Sequence, residues 1–306
     1  MARTDRAGPL LVLTAAVLWG SSGVAQELGP PGITPPSVAA FRVLLGGVLL
    51  LAVVVGLQGR QRLAEVVRYG RGPALLASIA MAGFQLGYFG GIRLTGVAVG
   101  TLVAIGSAPV AAGLLDLLRG RAPGLRWLAA TLVTVVGAGL LLVPADGADA
   151  VRPAGVALAL LAGASYATYT VASKGLIETG VTTTAAMAMP FVGASVVLLP
   201  TLLFVDVAWA ATARGLAVIV WLGVVGIATG YTLFALGLRR IEAARATTLT
   251  LAEPLTAALL AVVVLDERLT GAALVGAALM GLGLLLSGGG RPGRAARHPD
   301  GAPPSV

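Results

Sequence analysis

The sequence predicts an all-α membrane protein of ten transmembrane helices in two inverted five-helix repeats. Three observations predict it: the composition, ten apolar stretches of bilayer-spanning length, and a recurrence between the two halves. Hydrophobic residues make up 57% of the 306 residues and charged residues 11%. A soluble domain usually carries about 25% charge and less than about half apolar residues. With this little charge the outside of a soluble particle cannot be hydrated, so most of the surface must face lipid.

The apolar stretches run roughly over 10–28, 38–57, 74–93, 97–118, 125–143, 154–173, 184–205, 214–238, 245–265 and 270–287. Each approaches the ~20 residues that a spanning helix needs. The first follows the short segment MARTDRAG and has no small-residue cleavage site leading into a polar domain, so it reads as a membrane helix and not as a signal peptide. Gly29-Pro30-Pro31-Gly32 and Pro35-Pro36 end the first stretch and start the second, since proline is tolerated in a first helical turn. Arg60–Gly72 reads as a polar, arginine-rich loop. Pro123-Gly124, Pro144–Pro153 and Asp266-Glu267-Arg268 supply further breaks. The Gly/Pro/Arg-rich tail after Gly288 reads as disordered. The resulting organisation is a cytoplasmic N-terminus (1–9), a first repeat (10–143), an extracytoplasmic linker (144–153), a second repeat (154–287) and a cytoplasmic tail (288–306).

The net charge of +8 invites a nucleic-acid partner. The loops answer differently. With the N-terminus inside, 16 of the 21 basic residues fall in cytoplasmic segments, Lys174 and Arg245 among them, and four fall outside (Arg93, Arg152, Arg214, Arg268). The remaining one, Arg42, lies within the second helix. This is the positive-inside pattern, with both termini cytoplasmic and no basic stripe for a nucleic acid. Arginine outnumbers lysine twenty to one in an Ala/Gly/Val-rich chain, the stamp of a GC-rich bacterial genome.

Recurrence supplies the repeat. Gly83, Gly87 and Tyr88 stand 143 residues before Gly226, Gly230 and Tyr231, and Ala108-Pro109 stands 145 before Glu253-Pro254. Trp19–Ala25 matches Tyr166–Ala172 at an offset of 147. Five helices per half is an odd number, so the second half must be inverted. Inverted repeats of this kind build transporters with a site near the midplane.

At this point the chain resembles a known group, the EamA-type members of the drug/metabolite transporter superfamily. The likeness rests on Trp19-Gly20-Ser21-Ser22, Phe41-Arg42, Gly139–Leu142 and above all ATTLTLAEPLTAALLAVVVLDERLT at 246–270. It covers about Leu10 to Ser287. The first repeat departs from the pattern. Ala108 stands opposite Glu253, and Gly120–Pro123 stands opposite Asp-Glu-Arg, so any role of the Glu-Pro pair carries over only to Glu253 and Pro254. The resemblance implies an exporter of amino acids, other metabolites or drugs.

Glu253 is the sharpest site candidate. An ionised carboxylate some eight residues into an apolar helix costs several kcal/mol unless paired, hydrated or protonated, roughly speaking. It reads either as a substrate or proton-coupling group, or as a structural carboxylate beside a proline kink. Arg42 binds a substrate carboxylate, pairs with an acid such as Glu27, or snorkels outward. Trp19, Ser22, Gln26, Gln85, Tyr88, Tyr166, Tyr169 and Tyr231 recur at spacings that share helix faces. They read as a cavity lining, or else as interhelical bonds and interfacial belts. Pro109 and Pro254 read as hinges or static kinks. Gly83, Gly87 and Gly91 read as close-packing positions. Asp116, beside Arg119, reads as a solvated or paired end charge.

Enzyme readings fail. The chain has no cysteine, and its single histidine, His298, lies in the tail. Neither a metal centre, a Ser-His pair nor a phosphate loop can be assembled. The expectation is a transporter with no cofactor and no metal, with a small-molecule substrate, membrane lipids and proton coupling as partners, and a homo-oligomer as a further expectation. Without an ATP site, an ion gradient or the solute's own gradient must drive it. A lipid-intermediate flippase and a drug-efflux pump are the alternatives.

Overall fold

The computed structural model describes residues 7–121, 123–141, 152–266 and 269–288, and among these every regular element is helical. The expected N-terminal segment before Ala7, most of the 144–153 linker, Glu267 and Arg268, and the tail after Gly288 lie outside the described residues.

The first half contains α1 (Ala7–Glu27), α2 (Pro35–Val53, continued as a π-turn to Gln58), α3 (Gln61–Tyr69), α4 (Arg71–Thr95), α5 (Val97–Leu118) and α6 (Leu125–Leu141). The second contains α7 (Pro153–Glu178), α8 (Thr183–Leu198, continued as a 3-10 turn to Phe204), α9 (Ala213–Val220), a π-helical stretch (Trp221–Thr229), α10 (Gly230–Leu238), α11 (Ala243–Leu249), α12 (Ala252–Leu265) and α13 (Gly271–Gly288). Among the described residues, eight helical runs are long and apolar enough to cross a membrane. α6 and α13 are shorter apolar helices. The exposed large side chains are mostly Leu and Val, and they sit on the outer faces of these helices. In water such an outside is unfavourable, whereas in lipid it is what the solvent requires.

The chain shuttles between two faces. The N-terminal end of α1 lies against the end of α10, where Gly8 meets Arg240 and Ile241. The C-terminal ends of α5 and α7 lie on that same face, joined by Arg121 and Glu178 at 3.0 Å. The α1–α2 loop, the start of α7 against Leu94 and Thr95, and Trp209 against Ser37 lie on the opposite face. Thus α1 begins on the face rich in arginine and α7 begins on the other.

The two halves are interleaved. α7 packs along α4 and α5, and α1 packs along α10 and α12. Small residues permit the closest approaches. A Cβ on Gly87 would stand 2.8 Å from the Leu158 carbonyl, and one on Gly91 would stand 3.1 Å from Ala159. The glycine series therefore serves packing, as expected. α6 and α13 pack chiefly on each other, with Gly137 facing the Gly276 carbonyl and the Met280 amide.

Three expectations are corrected. The polar segment 60–72 contains a helix, α3, because Val66 buries one face while Arg62 and Glu65 pair on the other at 2.8 Å. Lys174 is not a loop residue. α7 runs on to Glu178 and buries it, leaving 7% exposed, because two backbone carbonyls accept from its ammonium group. Asp116 is neither solvated nor paired with Arg119. It is 2% exposed and accepts from the Ala244 amide, while Arg119 donates to the Val171 carbonyl.

Candidate functional site

A cavity of about 970 Å³ opens between the halves. Its mouth is ringed by the α1–α2 loop, the ends of α4 and α12, and Leu269. Its floor reaches Trp19, Tyr166, Thr250 and Tyr231 in the middle of the helices. Below that floor, toward the arginine-rich face, Tyr169, Phe234, Leu176 and Leu238 are fully buried and form a closely packed plug.

Local sequence explains how the floor is built. Pro254 has no amide to donate, so the run from Ala243 to Leu265 breaks at Thr250–Leu251 and restarts as α12. The Glu253 amide closes onto the Thr250 carbonyl at 2.9 Å. Glu253 thus stands in the first turn of a re-initiated helix, at the cavity wall. Interrupted helices at membrane depth are tolerated where the freed backbone faces protein or a cavity. Pro109, by contrast, lies within an unbroken α5, beside the lining residue Ala108.

Opposite Trp19, the helix from Ala213 to Leu238 widens into a π-helical stretch. Trp19 Nε1 donates to the Gly226 carbonyl there at 2.8 Å. Its ring lies 4.5 Å from Tyr231, and Tyr231 lies 4.5 Å from Phe191. On the other wall, Phe84 stands 5.2 Å from Tyr166 and 5.7 Å from Tyr88. Tyr88 shares a hydrogen bond with Thr101 at 3.0 Å. These aromatics come from α1 and α4 of the first half and α7, α8 and α10 of the second.

Two opposite charges face this space. The Glu253 carboxylate makes no hydrogen bond or ion pair among the described residues. Arg42, two turns into α2, donates from Nη2 to Gln85 Oε1 at 3.1 Å, and its buried Nε has no partner. It pairs with neither Glu27 nor Glu253 among the described residues, although it lies within electrostatic range of the latter. The Tyr166 hydroxyl is likewise buried and without a hydrogen bond.

The expected site residues therefore divide. Trp19, Ser22, Gln26, Arg42, Tyr88, Tyr166, Tyr231, Glu253 and Pro254 line the cavity. Gln85 and Tyr169 do not. Gln85 is 1% exposed and holds Arg42, and Tyr169 is fully buried and donates to Met187 Sδ at 3.0 Å. Sequence spacing placed both on the right helix but could not separate the face toward the cavity from the one next to it. Phe84, Phe89, Thr101 and Thr250 line the cavity without having been singled out. The one signal for them was adjacency, since Phe84 and Phe89 flank Gln85 and Tyr88 in one helix.

Gln85→Leu tests the Arg42 arrangement. It leaves the guanidinium with no fixed acceptor at the wall, and a ligand anion held there should bind roughly tenfold more weakly. Isothermal titration against the wild type would measure the difference, and Gln85→Glu, which ties Arg42 up in an ion pair, should weaken the anion further.

The comparisons with known proteins agree with this architecture. The EamA-like transporter family model matches twice, over residues 6–143 and 153–289. The uncharacterized transporter YwfM of Bacillus subtilis is 40% identical over 280 residues, which cover 90% of this chain and 92% of that protein. The uncharacterized inner membrane transporter YicL of Salmonella typhimurium is 25% identical over 274 residues, 87% of this chain and 90% of its own. A protein of known crystal structure shares the fold with a TM-score of 0.78 at 23% identity, over 92% of this chain and 96% of its own. The family match over both halves and the 40% identity to a transporter across 90% of the chain place this chain in the EamA-like transporter family, as a membrane transporter of small molecules.

Proposed function

We propose that the protein is a secondary active transporter that exports a small zwitterionic metabolite, in the first instance an amino acid, across a bacterial cytoplasmic membrane by alternating access. The observation that carries this reading is the pair of unmatched opposite charges, Arg42 and Glu253, facing one aromatic-walled cavity. A substrate carboxylate accepts from the Arg42 guanidinium, its ammonium group neutralises Glu253, and its side chain lies against Trp19, Tyr166 and Tyr231. Proton coupling fits the same carboxylate, since a proton and a substrate cation compete for it.

The supporting topology is ten spans. α6 and α13 cross as short helices, and the two halves are inverted, because α1 and α7 start on opposite faces. The arginine-rich face is cytoplasmic by the positive-inside rule, so both termini are inside and the cavity opens outward. A second reading, efflux of lipophilic cations, is favoured by one observation. Gln85 already occupies Arg42, leaving Glu253 as a charge with no partner at the cavity floor among the described residues.

The test is substrate-induced thermal stabilisation of the purified protein across amino acids and quaternary amines, because a ligand of the native state raises stability by mass action. An amino acid should stabilise the wild type by several degrees, with the effect lost in Arg42→Ala and in Glu253→Gln. Stabilisation by quaternary amines alone, indifferent to Arg42→Ala, would replace the first reading by the second.

A further inference from the structure

On the face opposite the mouth, two buried charges converge on one turn. Lys174 of α7 is 7% exposed and donates to the Leu238 carbonyl at 3.0 Å and to the Ile241 carbonyl at 2.7 Å. Asp116 of α5 is 2% exposed, and its Oδ2 accepts from the Ala244 amide at 3.0 Å. Its Oδ1 is buried without a partner. The three backbone groups span the α10–α11 junction: Leu238 ends α10, Ile241 lies in the connection and Ala244 is in the first turn of α11. The cation meets the carbonyl end of α10, and the anion meets an amide at the start of the next helix, each the favourable sign. Neither residue reaches the cavity, and the site chemistry uses neither.

Burying two charges for packing alone is a poor arrangement, because apolar residues of similar volume would serve as well or better. Charges holding backbone groups differ from apolar contacts in being directional. They are fully made in one geometry and lost in another. The plug beneath the cavity floor is closely packed, so the cavity reaches this face only if α10 and α11 move away from α5 and α7. That movement breaks all three bonds together.

The repeat adds a second observation. The two family matches begin 147 residues apart, at 6 and 153, and at that offset Lys174 corresponds to Glu27. Glu27 sits at the open mouth, exposed, with no ion pair among the described residues. The repeat counterpart of the α10–α11 turn is the α4–α5 turn at Gly96, across the mouth from α1.

We propose that Lys174 and Asp116 are a charge clamp that locks the face opposite the mouth, and that Glu27 closes the α4–α5 turn in the opposite state. The proposal rests on the alternating-access reading given above. It makes the state visible here the clamped one and assigns the repeat-equivalent positions 174 and 27 to opposite closures.

The absence of cysteine from the chain permits a clean test. Thr250→Cys, at the cavity floor, serves as the single reporter, and a membrane-impermeant maleimide is applied to each face of oriented vesicles. Losing charge-assisted bonds shifts such an equilibrium by about tenfold or more. Lys174→Met should raise the ratio of labelling from the clamped face to labelling from the mouth by that factor. Asp116→Asn should raise it in the same direction, Lys174→Arg should hold it near the parent, and Glu27→Gln should lower it. If Lys174→Met does not reach the membrane, Asp116→Asn and Glu27→Gln carry the test by their opposite signs. A parent labelled from both faces, with a ratio that none of these variants moves, overturns the clamp alone. A reporter labelled from one face only, in the parent and in every variant, overturns alternating access together with the clamp.

Discussion

Replacing Glu253 by glutamine is expected to abolish substrate-driven flux while leaving the empty protein at least as stable as the wild type. The two halves of this result have one cause. Glu253 faces the cavity with no hydrogen bond or ion pair among the described residues. The empty protein therefore holds an unpartnered carboxyl group in a site walled by aromatic rings, and the amide of glutamine removes the ionisable group without changing the shape. Binding a cationic group reverses the balance. Truncating one partner of a buried charge pair costs about 2–5 kcal/mol, so affinity should fall at least about thirtyfold. Counterflow in proteoliposomes measures the flux, and thermal unfolding without substrate measures the stability. A structural carboxylate, the alternative reading, predicts the reverse: Glu253→Gln would lower the unfolding temperature, and whatever protein folded would transport normally.

Gly137→Leu is expected to have the largest effect on stability. A Cβ at this position would lie 2.7 Å from both the Gly276 carbonyl and the Met280 amide, and a Cβ on Gly276 would lie 2.6 Å from the Gly137 carbonyl. The obstruction is backbone on backbone, which no side-chain rotation relieves. Overpacking in a core typically costs about 1–3 kcal/mol, and here a whole helix must move aside. α6 and α13 are the short helices and pack mainly on each other, so the displacement opens the main contact of both. The unfolding midpoint should drop by roughly 5–10 °C or more, and Gly137→Ala should lower it by less. Scanning thermal unfolding in detergent checks both. Gly226, where an added Cβ meets nothing within 4 Å, is the control position. Gly226→Ala should be nearly neutral.

The two predictions draw on different parts of the sequence. The membrane class, the repeat and most helix positions were legible because each is a statistical property of a long segment. Eighteen or more apolar residues have few other fates. A recurrence such as Trp19–Ala25 with Tyr166–Ala172 survives as an offset whatever the residues touch. The cavity lining was partly legible for a related reason. Polar and aromatic residues are expensive facing lipid, so Trp19, Tyr88, Tyr166, Tyr231, Arg42 and Glu253 had to face inward.

What the sequence by itself determined, then, is a doubled bundle of apolar helices with a few costly residues directed to its centre. Tertiary structure alone decided which inward positions meet the cavity and which meet a neighbouring helix. Gln85 and Tyr88 are three residues apart in α4, yet one holds Arg42 in a closed interface and the other stands on the wall. That difference is set by a rotation of less than one helical turn, finer than periodicity resolves. Tertiary structure also decided the fate of Lys174 and Asp116, which by sequence are charges near helix ends. The backbone groups that hold them belong to residues 64 and 128 positions away in the chain, and no local pattern encodes a partner at that distance.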